Sequence, residues 1–181
     1  RLQKKNNIAA IEIHLEILEI EKYRKEFNYS VVKKDSRVIN EVRVLSYANK
    51  LNLSIIANQI NDHGFEYKTM ALRNAYDVFL LSKKTNAKDA VHRLEKLTNP
   101  LNCFLAVCYE AFNKVDSLDY NKTKMAISYL KNFNTQFNNP KATKKRRKRL
   151  KILISIKSRL NILYKSIIYK KYRVWLFRRL T

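Results

Sequence analysis

The chain has 181 residues, 46% of them hydrophobic, and a formal net charge of +23. This length and apolar content exclude a disordered basic tail and predict one folded domain, or a small domain with a substantial extension. One glycine (Gly64) and two prolines (Pro100 and Pro140) leave few residues for tight turns. The composition therefore disfavours a sandwich or barrel and predicts an all-α fold of long helices joined by polar loops.

The first 119 residues show helical periodicity and predict a helical N-terminal module. Asp62, His63 and Gly64 predict a helix stop, with Gly64 as a left-handed C-cap. Pro100 is expected in the first turn of a helix. Apolar residues three and four apart predict helices over residues 7–27, 36–61, 66–82 and 87–97, and from residue 100 to about 115, with a loop at 83–86.

The character of the chain changes near residues 116–120, where we place a domain boundary. Residues 120–181 predict a basic domain of three to four helices. Its first helix is expected over about 121–137, with Met125, Leu130, Phe133 and Phe137 as the apolar positions. A long basic helix is expected from about residue 143, and a short one over 167–179.

Charge is distributed unevenly between these two parts. Residues 1–119 hold 19 Lys and Arg and all 15 acidic residues, whereas residues 120–181 hold 19 Lys and Arg and no acid. A helical domain of this kind repels itself unless a polyanion surrounds it, and basic side chains that neutralise phosphates release counterions. The imbalance indicates a nucleic-acid partner.

A membrane surface is the competing interpretation from another class. No apolar run approaches the roughly 20 residues needed to span a bilayer, so no membrane span is expected. A basic amphipathic helix could instead lie on an anionic surface, with Trp175 and Phe177 at the interface, or bind a partner protein. Against the membrane interpretation, Arg and Lys occur on several faces of residues 144–179.

Enzymatic chemistry finds no support in the sequence. His14, His63 and His92 lie in separate segments and pair with neither cysteine at metal-ligand spacing. One glycine cannot build a phosphate-binding loop. Cys103 and Cys108, five residues apart on one helix, point to different faces and are not expected to form a disulfide. We expect no enzyme, cofactor, metal or small-molecule substrate.

The basic run at residues 144–149 leads directly into the apolar helical pattern of residues 150–163, so it begins a folded helix. Aromatic residues and cations then alternate towards residue 179. Tyr and Arg can contact phosphate, ribose or unstacked bases, whereas Trp175 and Phe177 are expected to pack. The RNA-binding candidates are Lys144, Lys145, Arg146, Arg147, Lys148, Arg149, Lys157, Arg159, Tyr164, Lys165, Tyr172 and Arg173.

Four segments of the basic domain resemble the S-fifteen family of small-subunit ribosomal proteins. Residues 127–137 fall on the family's T-E-R-I-N-N-L-T-E-H-F, and residues 144–150 on H-H-S-R-R-G-L. Residues 156–164 fall on R-R-R-R-L-L-D-Y-L, and residues 170–176 on E-R-Y-R-A-L-I, without a gap. The family's glycine-rich turn is absent near residues 115–118. Lysines replace its paired histidines at 144 and 145, and Leu163 stands where the family has the tyrosine of D-Y-L, with Tyr164 one place later.

The resemblance implies binding at a three-way junction in the central domain of small-subunit rRNA. It also implies a structural role in translation, as part of a ribonucleoprotein, with contacts to neighbouring ribosomal proteins made by residues 1–119. The long extension and the abundance of Asn, Lys and Ile suggest a mitochondrial ribosome. A weaker likeness, of residues 43–78 to the C-terminal domain of the large-subunit L-twenty family, needs a gap and lacks that family's basic N-terminal helix. A large-subunit or assembly protein is therefore the alternative.

Overall fold

The computed structural model of the protein describes residues 17, 18 and 20–180, and these form an all-α fold with one small β-hairpin. Contacts divide the chain into two units, one up to Asn134 and one from Thr135 onward. The helices are α1 (Tyr29–Lys34), α2 (Tyr47–Ile56), α3 (Gly64–Tyr67), α4 (Leu72–Ser82), α5 (Ala87–His92), α6 (Thr98–Ala111), α7 (Lys124–Asn138), α8 (Pro140–Ile168) and α9 (Lys170–Leu180).

The core of the first unit is built around α6. Every side chain from Pro100 to Cys108 is buried, and a helix that is buried on all sides must be surrounded by other elements. Leu51, Ile55 and Ile56 of α2 belong to the same apolar core, together with residues of α4 and α5. This unit therefore buries a continuous core of its own.

A β-hairpin replaces the start of the predicted helix over residues 36–61. Strand β1 (Arg37–Ile39) pairs antiparallel with β2 (Val42–Val44). Asn40 and Glu41 between them have φ values of 48° and 65°, the left-handed conformations that a tight two-residue hairpin turn requires. The helix prediction was wrong here because β-branched residues flanking this turn favour strands.

The end of α2 also differs from the sequence prediction. A π-helical turn over Ala57–Asn61 continues α2 and buries Asn58, Gln59 and Ile60 consecutively. His63, with φ of 56°, takes the left-handed conformation predicted for Gly64, and Gly64 instead begins α3. Glycine is required there because a Cβ atom would lie 2.6 Å from the Asn58 carbonyl oxygen.

Several other predicted helices are shorter than the periodicity suggested. Within the predicted helix over 7–27, the described residues form only a 3₁₀ turn at Glu21–Tyr23, and residues 1–16 and 19 lie outside the described part. Lys68, with φ of 55°, interrupts the predicted helix over 66–82. The loop over 83–86 and the helix start near Pro100 are confirmed.

The inward face of α7 is rotated from the predicted one. Met125 is 46% and Phe137 is 77% exposed, whereas Ala126 and Tyr129 are buried and Phe133 packs against the core. The Tyr129 hydroxyl lies 3.1 Å from Gln59 Oε1 and 3.2 Å from the Gly64 carbonyl oxygen. Its ring stacks on Phe65. Leu130 and Phe133 pack against the core as predicted, whereas Met125 and Phe137 do not, and Ala126 and Tyr129 take the buried positions instead.

The second unit consists of the end of α7, α8 and α9. Asn139 caps α8 by accepting a hydrogen bond from the Ala142 N–H at 3.2 Å, and Pro140 occupies the first turn. Tyr169, with extended backbone, separates α8 from α9. The helix break at residues 138–140 is confirmed, whereas the division by contacts lies fifteen residues beyond the charge boundary between 119 and 120.

We expect Tyr129→Phe to lower the free energy of unfolding by about 1–2 kcal/mol, because Gln59 Oε1 would lose its donor in a buried site. Urea denaturation followed by circular dichroism measures the change. Tyr29→Phe, at a side chain that is 65% exposed, is the matched control and should shift stability by less than about 0.5 kcal/mol. Equal effects of the two variants would contradict a buried anchor at Tyr129.

Candidate nucleic-acid interface

The basic run lies in the first turns of α8, a helix of 29 residues. All six side chains from 144 to 149 are exposed. Since successive residues of an α-helix are about 100° apart, six in a row surround the helix axis with positive charge. The run follows the positive end of the helix dipole, which adds to the same field. The arrangement attracts anions from every direction around the helix.

One side of α8 extends this charge along the axis. Lys144, Arg147, Lys148 and Lys151 are spaced three and four apart, so they share a face, and all are exposed. Lys141, three residues before Lys144, continues the same face. Lys141 and Lys151 were not among the predicted site residues, although their spacing from Lys144 could have identified them. The helix therefore presents a row of cations that can follow a phosphate backbone.

The remaining predicted site residues lie further along α8 and on α9. Lys157, Arg159 and Tyr164 of α8 are exposed, as is Arg173 of α9. Lys165 and Tyr172 are half-buried, and the Lys165 Nζ lies 5.4 Å from the centre of the Tyr172 ring. This cation–π contact joins α8 to α9. The structure thus places Tyr164 where a base could stack on it, and gives Tyr172 a packing role.

The two aromatic residues predicted to pack have different outcomes. Phe177 is 67% exposed, so the prediction that it is buried was wrong. The side chain of Trp175 lies outside the described part.

Ion pairing distinguishes the first unit from the second. Lys88 lies 3.1 Å from Asp119, and Arg93 lies 3.3 Å from Asp35. The hydrogen bond from Lys88 lowers the pKa of the Asp119 carboxyl below its usual value. Asp119 is the last acidic residue of the sequence, so the sixteen Lys and Arg of the second unit, from Thr135 onward, have no Asp or Glu side chain in that unit.

Two clefts open on the surface of the first unit. One, of about 370 Å³, is polar and includes a hydroxyl pair, Ser82 and Ser117, 2.9 Å apart, beside the Lys88–Asp119 ion pair. The other, of about 560 Å³, lies between α2 and α4 and includes Leu53 and Leu80. In the described part, His, Cys, Asp and Glu side chains form no group of three placed to hold a metal ion.

The two cysteines of the chain lie on α6. Both Cys103 and Cys108 are free, buried thiols. Burial raises the pKa of the Cys103 thiol to about 11 and raises that of Cys108 further.

Across the residues that the structure describes, each helix is too short or too polar to cross a lipid bilayer.

Comparison of the chain with protein-family models, with curated proteins and with solved structures finds no match in any of the three.

We expect both thiols to resist alkylation in the folded protein, because they are buried and stay protonated below a pH of about 11. Iodoacetamide labelling at about pH 8, followed by mass spectrometry, should be at least about 100-fold slower in buffer than in urea. Rapid labelling of the folded chain would indicate a reactive cysteine and reopen an enzymatic function.

Proposed function

We propose that this protein is a structural constituent of the small subunit of a mitochondrial ribosome and that it binds rRNA through α8 and α9. The observation that carries the proposal is the surface of α8. Residues 141–151 include eight Lys and Arg, all exposed, on a helix of 29 residues that has no acidic side chain. At roughly 1.5 Å per residue, the helix extends for about 43 Å.

Such a helix opposes its own folding unless anions surround it. Lys144 and Lys148, like Lys145 and Arg149, are like-charge pairs one turn apart, and each such pair costs a few tenths of a kcal/mol. Phosphates bound along the helix would reverse the sign of these interactions and release counterions. A polyphosphate chain matches the length of the charged row better than a small anion.

RNA is favoured over DNA by the aromatic side chains and by the order of the motifs. Tyr164 is 64% exposed on the same helix as Lys157 and Arg159, as expected for contacts with ribose or an unstacked base. The segments that resemble the S-fifteen family fall in successive helices, with 127–137 in α7, 144–150 and 156–164 in α8, and 170–176 in α9. In this proposal the first unit contacts neighbouring ribosomal proteins.

A large-subunit protein is the second candidate. Residues 43–78, which resemble the C-terminal domain of the L-twenty family, include α2, α3 and most of α4. Helices α2 and α4 are joined by hydrogen bonds between Asn74 and Ser54 in both directions. This stretch is thus part of a compact helical module rather than a loose extension. The same basic helices would serve rRNA binding in either subunit.

We expect the full chain to bind structured RNA with an affinity that falls steeply with salt, and we expect a five-charge variant to bind more weakly. Each Lys or Arg removed from residues 141–151 of α8 should reduce the magnitude of the slope of log affinity against log salt by about 0.7–0.9. Filter binding across a salt series measures the slope. The variant changes Lys144, Lys145, Arg147, Lys148 and Arg149 to Gln.

The matched control removes five exposed cations from the first unit, and its salt slope should stay within about one phosphate equivalent of the native chain. Equal decreases of the salt slope in both variants would show that RNA binding depends on net charge alone, and would overturn the assignment of the interface to α8. Indifference to RNA combined with tight binding to anionic vesicles would overturn RNA binding altogether. The control changes Lys25, Lys33, Lys34, Lys83 and Lys84 to Gln.

We expect the full chain, added to separated mitochondrial ribosomal subunits, to sediment with the small subunit. The five-charge variant of α8 should lose this association at physiological salt, since phosphate contacts supply most of the affinity. Sucrose-gradient fractionation with immunodetection measures it. Sedimentation with the large subunit would replace the small-subunit proposal with the second candidate.

A further inference from the structure

A second surface of α8, which we call the apolar seam, carries no role in RNA binding. It consists of five apolar side chains, and the spacing between successive members alternates between three and four residues. This is the heptad pattern by which one helix packs along another. The members and their exposed fractions are Leu153 (61%), Ile156 (48%), Leu160 (59%), Leu163 (48%) and Ile167 (75%).

The seam and the basic run occupy different halves of the same helix. Residues 141–151 carry eight cations, whereas residues 152–168 carry three, Lys157, Arg159 and Lys165. At about 100° per residue, the seam lies within one narrow stripe of the helix surface. Cations bind phosphates, whereas apolar side chains pack against other apolar surfaces. The basic run and the apolar seam therefore call for different partners.

Each seam side chain keeps about half or more of its surface exposed. Among the described side chains of the second unit, those that are buried are Gln136, Thr143 and Ser166, and none of them is apolar. An apolar stripe left exposed along a helix is a candidate surface for packing by another molecule. A seam of 15 residues, about 21 Å long, matches two heptads of a partner helix.

We propose that the apolar seam binds an amphipathic helix of a partner protein whose flanking positions are acidic. In the heptad, Lys157 follows Ile156 at position e and Arg159 precedes Leu160 at position g, the positions that select a partner by charge. Both are exposed. Glutamate or aspartate on the partner would pair with them across the seam.

A second copy of this chain is the wrong occupant on the same grounds. It would offer Lys157 and Arg159 no acidic side chain to pair with, because residues 120–181 contain none. Like charges at these positions select against pairing. The five seam side chains take no part in the proposed RNA binding, although Lys157 and Arg159 beside them are also candidates for that interface.

The test uses the full chain and a labelled synthetic peptide of about 28 residues, four heptads with Leu and Ile at a and d and Glu at e and g. Fluorescence anisotropy should show binding. Leu153→Gln with Leu160→Gln, at side chains more than half exposed, should weaken it at least about 10-fold. The matched control, Leu72→Gln with Leu80→Gln on α4, also removes two exposed leucines and should change it less than about 2-fold.

Two further peptides separate packing from charge. One keeps Glu at e and g but has Gln at a and d, and the other keeps the apolar positions but has Lys at e and g. Each should bind at least about 10-fold more weakly than the first. If the peptide with Gln at a and d binds as tightly as the first peptide, the interaction depends on charge alone and the proposal is overturned.

Other occupants give distinct results. Dimerisation of the full chain that Leu153→Gln with Leu160→Gln abolishes, seen by light scattering, would assign the seam to a second copy. Absence of peptide binding would overturn the proposal, and seam-dependent binding to vesicles of phosphatidylserine and phosphatidylcholine would then assign the seam to a membrane surface. RNA affinity of the seam variant should match the native value, so this proposal and the RNA proposal fail separately.

Discussion

The nineteen positive charges of residues 120–181 share that stretch with no acidic residue, and this imbalance constrains what α8 and α9 can be. A helix of like charges gains nothing from its own side-chain pairs, so it needs burial or a counter-charge. Of the side chains described from Thr135 onward, no apolar one is buried. The described residues of the second unit therefore supply neither kind of stabilisation, whereas the first unit has the core around α6.

The first part of α7 is fixed to the core of the first unit by polar contacts. The Asn102 side chain donates to the Asn121 carbonyl oxygen and accepts from the Asn121 N–H, both at 2.8 Å, which fixes the chain just before the helix. Tyr129 then reaches Gln59 inside the core, and Lys68 lies 4.6 Å from its ring centre. Polar contacts in a buried setting make this a specific attachment as well as a stable one.

The shortage of turn-forming residues and the helical periodicity predicted the all-α fold, and polar turn residues predicted the breaks at 83–86 and 138–140. The sequence did not predict the hairpin turn at Asn40 and Glu41, because neither residue is the glycine that usually marks such a turn. For the candidate interface, the consecutive cations at 144–149 identified the region and implied exposure. The apolar pattern of residues 150–163 predicted a helix correctly, but a periodic apolar stripe does not show whether its side chains are buried or exposed.

The absence of buried apolar side chains among the described residues of the second unit also has a consequence for biosynthesis. The chain emerges from its N-terminus, so the core around α6 can close before α8 is translated. A newly made copy then has the exposed apolar and cationic surfaces of α8 open to solvent. Chaperones and proteases act on such surfaces, so under the two proposals above the supply of partners would govern the cellular lifetime of the protein.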